Sequence, residues 1–252
     1  MRPIAIIQAR VGSRRLPGKV LADVAGAPLL ARMLERVAAA RRLAGIVVAT
    51  PEGEANEPIR ALAERVGVAC VAGSEDDVLA RYAAAASSTG ADPVVRLTAD
   101  CPLVDPALID ACVECFLGGV YDYVALGGDF PDGLDTEVIA ADALARAHAE
   151  ARLPSEREHV TPYVWNRPSE FRCATVPFPE SRAGCRWTVD EPRDLAFVQA
   201  VYERLYRPGQ VFGWRDVAAL CAREPALATL NAGIERNAGY RRSLERDAEV
   251  RS

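Results

Sequence analysis

The run "IIQARVGSRRLPGKVL", residues 6 to 21, sets Arg10, Arg14, Arg15 and Lys19 beside two glycines and a proline, directly behind an apolar stretch. Backbone N–H groups and cationic side chains at the carboxyl end of a parallel strand suit an anion, so the composition points to phosphate. Neither familiar phosphate loop matches. A Walker A loop has four residues between its glycines and a Ser or Thr after its lysine, whereas Gly12 and Gly18 flank five residues here and Val20 follows Lys19. The G-x-G-x-x-G of dinucleotide-binding folds is absent as well. Taken alone, the run also fits a solvated basic loop.

Two carboxylates bear on that choice. Asp100 ends "VVRLTAD" and Asp190 ends "CRWTVD", each where the strands of an α/β sheet deliver ligand contacts. Mg²⁺ is commonly held by one or two carboxylates plus substrate phosphates, which two aspartates facing a basic loop would provide. Helix capping is the competing role, and Asp105 before Pro106 and Ser74 before Asp77 have the sequence context for it. Capping stays open for Asp190, which directly precedes a helical pattern. It is weaker for Asp100, because Cys101-Pro102 follows and Asp105 already supplies a cap.

The elements that must position these groups alternate. Ile4 to Ala9 reads as a buried strand, and after the basic loop Pro28 opens a helix whose Leu29, Leu30, Met33, Leu34 and Val37 keep helical spacing. Strands over 45–50, 68–72 and 92–100 then alternate with helices over 55–66, 76–87 and 106–117. This rhythm predicts an α/β fold, a Rossmann-like, mostly parallel sheet sandwiched by helices. It breaks after residue 126: "GGDFPDG" is a turn-rich loop, "DTEVIAA" a strand and 141–152 a helix. Ser155 to Glu158 matches a capping box before a short helix through Trp165. "FRCATVPFP" and "CRWTVD" read as two more strands, "EPRDLAFVQAVYERLY" as a long helix and 214–223 as another. One domain is expected over 1–230, with an α+β insertion at about 126–180 and a charged tail, 231–252, ordered only in part.

The chain of 252 residues carries 35 acidic against 30 basic side chains, a net charge of −5, which disfavours a general nucleic-acid surface. No stretch approaches the ~20 apolar residues of a membrane span, and the start lacks the form of a signal peptide. The seven cysteines, an odd number scattered along the chain, argue for reduced thiols and a cytoplasmic protein. Cys112 and Cys115 form a lone C-x-x-C inside a helical pattern, where core packing outweighs zinc.

"IIQARVGSRRLPGKVLADVAGAPLL", "GSEDDVLARY", "VVRLTADCPLVDP", "PDGLDTEVI", "EREHVTPYV" and "RWTVDEPRDL" occur in the order and spacing of the SpsF-like branch of the cytidylyltransferases. The chain resembles that group, which also holds the CMP-ketodeoxyoctonate and CMP-sialate synthetases, from about residue 4 to 207. The resemblance implies a glycosyltransferase-A-like nucleotidyltransferase fold and transfer of CMP from CTP to a sugar or sugar-acid acceptor with loss of pyrophosphate. It implies catalytic roles for Arg10 and Lys19, and Mg²⁺ held by Asp100 and Asp190. Ala9, Gly12, Ser13, Arg15 and Thr98 fall at nucleotide-binding positions, with Arg14 where such enzymes vary. Arg81 falls near the nucleobase, although pairing with Asp77 one turn earlier would serve equally.

The broken segment is expected to bind the acceptor through Asp135, Thr136, Glu137, Glu158 and His159, or to contact a partner subunit in a homodimer. Turn formation at Asp132-Gly133 and capping by Glu158 compete with that role. A sugar acid would also call for a cation, for which Arg157, Arg182 and Arg186 are candidates. A non-sugar acceptor, another NTP, a glycosyltransferase and a catalytically silent nucleotide-binding subunit are the other readings.

Overall fold

In the computed structural model, which describes residues 1 to 251, the first apolar run forms strand β1 (Ile4–Gln8) at the centre of the sheet. Its side chains alternate between two apolar cores, Ala5 and Ile7 on one face and Ile4 and Ile6 on the other. A strand buried on both faces must be apolar throughout, and each such side chain contributes about 1.5–3 kcal/mol.

The chain continues through β2 (Asp23–Val24), β3 (Ala27–Pro28), α1 (Leu29–Val37), β4 (Gly45–Pro51), α2 (Glu57–Arg65), β5 (Ala69–Gly73), α3 (Val78–Thr89), β6 (Val94–Thr98) and α4 (Pro106–Leu117). Then come β7 (Tyr123–Gly127), β8 (Glu137–Ile139), α5 (Ala141–Glu150), α6 (Pro154–His159), α7 (Pro162–Trp165) and β9 (Cys173–Pro177). The last elements are α8 (Pro192–Leu205), α9 (Trp214–Arg223), α10 (Pro225–Ala228) and α11 (Ala238–Arg251). Seven strands form one sheet in the order β5-β4-β1-β6-β8-β7-β9. Its pairings are parallel except those of β8, which runs antiparallel to both β6 and β7.

The topology creates one privileged place. From β1 the chain moves outward through β4 to β5, then returns to lay β6 on the other side of β1. The strand order therefore reverses between β1 and β6, and open α/β sheets bind ligands in the crevice outside their carboxyl ends at such a point. Gln8 and Thr98 are register partners there, so the residues after them leave the sheet side by side.

Four local expectations are corrected. "CRWTVD" joins no strand of the sheet: it makes an isolated bridge between Asp132 and Arg186, and its N–H groups go to Asp132 (from Trp187, 2.6 Å) and Asp100 (from Val189, 2.7 Å). Gly133, at φ 108°, makes this lacing possible, since a Cβ there would stand 2.5 Å from the Thr188 nitrogen. Ser155 does not cap its helix. Pro154 starts α6 one residue earlier, and Glu156 accepts the N–H groups of Arg152 (3.1 Å) and Leu153 (3.2 Å) instead. The helix through Trp165 is two short ones, broken at Val160, whose φ is 72°. The tail is helical over α11 and packs on α6.

All seven cysteines are free thiols, and Cys112 is buried in the core. No helix among the described residues is long and apolar enough to cross a membrane.

Candidate active site

The loop after β1 folds back on itself. Ser13 and Gly18 both donate their N–H groups to the Val11 carbonyl (2.8 and 2.9 Å), and Asn56 accepts from the Val11 N–H at 3.0 Å. Gly18 takes a left-handed conformation, φ 73°, a turn disfavoured for other residues, and starts the single 3₁₀ turn Lys19–Leu21. That turn drives Lys19 inward.

The buried Lys19 ammonium has three donors and uses them all. Nζ donates to Asp100 Oδ2 (3.0 Å), Asp190 Oδ1 (2.9 Å) and the Val189 carbonyl (2.6 Å). Burial would lower its pKa, but the flanking carboxylates outweigh it and hold the ammonium charged. The same balance acts on Asp100: burial pushes its carboxyl up, while Lys19 and the Thr98 hydroxyl bring it down to about 2.

Asp190 Oδ2 receives Arg15 at 2.7 Å and Arg186 at 3.0 Å. It does not cap α8. Asp194, fully buried, accepts the N–H groups of Asp190 and Glu191 at 3.0 Å each, and itself pairs with Arg186 at 2.9 Å. The Asp190 side chain is thus free to face the loop.

These groups line a cavity of about 660 Å³, ample for a nucleotide-sized ligand. Ala9, Arg10, Gly12, Ser13, Arg15, Lys19, Arg81, Thr98, Asp100 and Asp190 line it, together with Glu158 and His159. Arg10 and Arg14 stand in its wall with no carboxylate partner among the described residues. The Asp77 pairing of Arg81 does not occur. Its guanidinium donates to the carbonyls of Ser74 and Glu75, while Asp77 caps α3 through the Ala80 N–H (2.9 Å) and pairs with Arg157.

Asp135, Thr136 and Glu137 lie outside the cavity lining, so their expected acceptor contacts find no support in the geometry. Asp135 accepts the Gly133 N–H at 3.0 Å and Thr136 donates to the Leu134 carbonyl at 3.2 Å. Glu137 is the cross-strand partner of Arg96 and also accepts from Tyr123 and, at 2.6 Å, from Thr161.

His159 ends α6 just before Val160, a β-branched residue in a left-handed conformation that costs about 1–3 kcal/mol. Burial and the nearby Arg96 hold the His159 pKa down to about 4, so the ring is neutral at physiological pH. Its Nε2 lies 3.1 Å from Ser243 Oγ, which donates to Glu158 at 2.7 Å. Ser243 belongs to α11, and the wall that α11 adds had no counterpart in the motif reading. Its signal was the spacing of Ser243 and Asp247, small polar residues one turn apart in a strongly charged segment.

No three His, Cys, Asp or Glu side chains among the described residues are grouped to hold a metal on their own. The Asp100 and Asp190 carboxylates nonetheless meet at the Lys19 ammonium on the wall of a cavity that would take phosphates, and Mg²⁺ favours such a pair of carboxylates once Lys19 yields a contact to the substrate. The residues fit that ion if a substrate completes its shell.

Comparison with known proteins decides the family, since the family model described as "Cytidylyltransferase" matches residues 4–210. The chain belongs to the cytidylyltransferases. This cytidylyltransferase is 35% identical over 245 residues to an uncharacterized protein of Methanocaldococcus jannaschii, covering 96% of this chain and 98% of that one. It is 32% identical over 233 residues to the spore coat polysaccharide biosynthesis protein SpsF of Bacillus subtilis, covering 89% and 95% of the two chains. A solved cytidylyltransferase structure from Leptospira borgpetersenii superimposes with a TM-score of 0.87 at 30% identity, covering 94% of this chain and all of that one.

Proposed function

We propose that the chain transfers CMP from CTP to a hydroxyl group of a sugar or sugar-acid acceptor, releasing pyrophosphate, in polysaccharide or glycan assembly. The observation that carries this reading is the meeting of Lys19 with Asp100 and Asp190 at the switch point of the sheet. Family membership and the likeness to SpsF support it.

In the reaction the acceptor oxygen forms a bond to the α-phosphorus, the bond to the bridging oxygen of the leaving pyrophosphate breaks, and the acceptor proton is given up. Positioning and neutralisation of charge supply most of the catalysis of such a step. Arg10 holds the triphosphate, and Lys19 gives up one of its carboxylate contacts to reach the same anion and spread its developing charge, with the loop at Ala9, Gly12 and Ser13 closing on it. Arg15 moves from Asp190 to the outer phosphates. Thr98 and Arg81 flank the nucleoside. Neutral His159, with Glu158, accepts from the acceptor hydroxyl. Mg²⁺ at Asp100 and Asp190 would neutralise phosphate oxygens when bound.

The test is pyrophosphate release across four NTPs and a panel of sugar phosphates and ulosonic acids, with and without EDTA. Turnover with CTP, abolished by EDTA, is expected, as is a melting-temperature rise specific to CTP, since ligand binding stabilises by mass action. Thermal stabilisation by another NTP alone would reassign the base. Release of a nucleoside diphosphate from a nucleotide sugar would replace the reading with glycosyl transfer, and turnover only with a phosphonate or polyol phosphate would move the acceptor class.

A further inference from the structure

The wall supplied by α11 has no part in the chemistry above. Its Gly239, Arg242, Ser243 and Arg246, spaced three and four apart on one helix face, line the cavity together with Glu245 and Glu249. The helix lies beyond the residues 4–210 matched by the family model. Buried polar contacts fix it in place. Asp247, 5% exposed, accepts from the Ser155 N–H (2.8 Å) and hydroxyl (2.6 Å) at the start of α6, and Tyr240 packs edge-on against His159 at 5.1 Å.

One cation on this wall, Arg242, differs from the others in that part of the molecule. Arg157, Arg182 and Arg186 are each engaged by a carboxylate, of Asp77, Glu180 and Asp132 respectively. Arg242 lines the cavity with no hydrogen-bond or carboxylate partner among the described residues. Arg246 makes a looser ion pair with Glu158, at 3.8 Å and beyond hydrogen-bonding distance. A guanidinium turned to a cavity without an internal acceptor is poised for charge-assisted bonds to an anionic ligand. The triphosphate already has the loop cations, and α11 instead adjoins Glu158 and His159, the residues assigned to the acceptor.

Resting on the cytidylyl-transfer reading, we propose that α11 is the acceptor wall of the site, where Arg242, assisted by Arg246, pairs with an anionic group of the acceptor, a carboxylate or a phosphate monoester. Kinetics of the full chain and of Arg242→Ala, Arg242→Lys and Arg246→Ala test this with CTP and three kinds of acceptor: ulosonic acids, sugar phosphates with a free anomeric hydroxyl, and neutral sugars. The expected result is use of an anionic acceptor, with its KM raised at least tenfold in Arg242→Ala, partly restored in Arg242→Lys and raised less in Arg246→Ala. The KM for CTP should stay within about twofold and the melting temperature unchanged, because Arg242 has no partner in the fold to lose.

The acceptor that is turned over, ulosonic acid or sugar phosphate, identifies the anionic group held, while a hydroxyl of the same acceptor attacks. A preference for neutral sugars, no turnover of either anion, an unchanged acceptor KM in Arg242→Ala, or a raised KM for CTP would each overturn the assignment. The CTP-induced melting shift of the unmutated protein separates two failures. Its absence defeats the transfer reading itself, whereas a normal shift with acceptor kinetics indifferent to Arg242 defeats only the role of α11.

Discussion

Two cation–carboxylate clusters grow from the strand β6 and the residues after it, and they are used in opposite ways. Arg96 meets Glu137 inside the sheet, with Tyr123 and Thr161 completing the Glu137 shell, and both charged side chains are 13% exposed. Four residues on, Asp100 meets Lys19, yet Asp100 keeps 30% of its side chain exposed, at the wall of the cavity. In the first cluster the charges complete one another. In the second, the buried ammonium draws together two carboxylates that still face open space. The chemistry of the pairs is nearly the same, so orientation toward the switch point separates a cluster closed on itself from one that faces a cavity.

The sharpest way to break that distinction is to remove a charge from each cluster. Asp100→Ala and Lys19→Ala are expected to cut pyrophosphate release from CTP by about 10²–10³-fold or more, the usual scale for one transition-state contact. Circular dichroism would verify folding of each variant, and parental turnover in either would remove the open cluster from the chemistry. Glu137→Ala is expected to act on stability instead, by about 3–5 kcal/mol in urea unfolding, because Arg96 is left buried and uncompensated. A well-folded Glu137→Ala protein that had lost only acceptor affinity would instead return Glu137 to the acceptor site.

The pH dependence sharpens the comparison further. His159 titrates near 4 in the folded protein against about 6.5 unfolded, so the unfolded state binds more protons between those values. Stability should fall as pH drops from about 6.5 to 4, by up to about 3 kcal/mol at 1.36 per pKa unit. Asp100, held at about 2 against an ordinary 3.8, adds a second loss as pH falls through that lower window. NMR titration of the His159 ring checks the first, and a midpoint near 6.5 would contradict its burial. The smallest effect is expected from Asp247→Ala, about 1–3 kcal/mol for the orphaned donors of Ser155, read as faster hydrogen exchange in α11.

Much of the framework was legible because it depends on neighbours in the chain. Apolar runs bounded by turns marked β1, β4 and β6, and helical spacing marked α1 and α4, since burial on a sheet or helix face imprints a period on the sequence. The residues of the basic loop, Asp100 and Asp190 were legible as candidates because charged side chains at strand ends are poorly explained by packing, and they line one cavity. "CRWTVD" has the alternation of a strand but crosses to two different segments, which no local pattern records. Asp135, Thr136 and Glu137 had acceptor-like chemistry, but the antiparallel register of β8 pairs Glu137 with Arg96, while Asp135 and Thr136 bond locally to Gly133 and Leu134.

By itself the sequence determined which groups carry charge and hydroxyls, which segments alternate, and that the opening loop belongs to no common phosphate motif. Only the tertiary structure decided which charges meet. Lys19 reaches Asp190 across 171 residues and Ser155 reaches Asp247 across 92, separations over which composition and periodicity carry no information. Those pairings depend on strand order at the switch point and on where a charged tail finds buried hydrogen-bond donors. That is why a segment expected to be loosely ordered stands as a wall of the cavity.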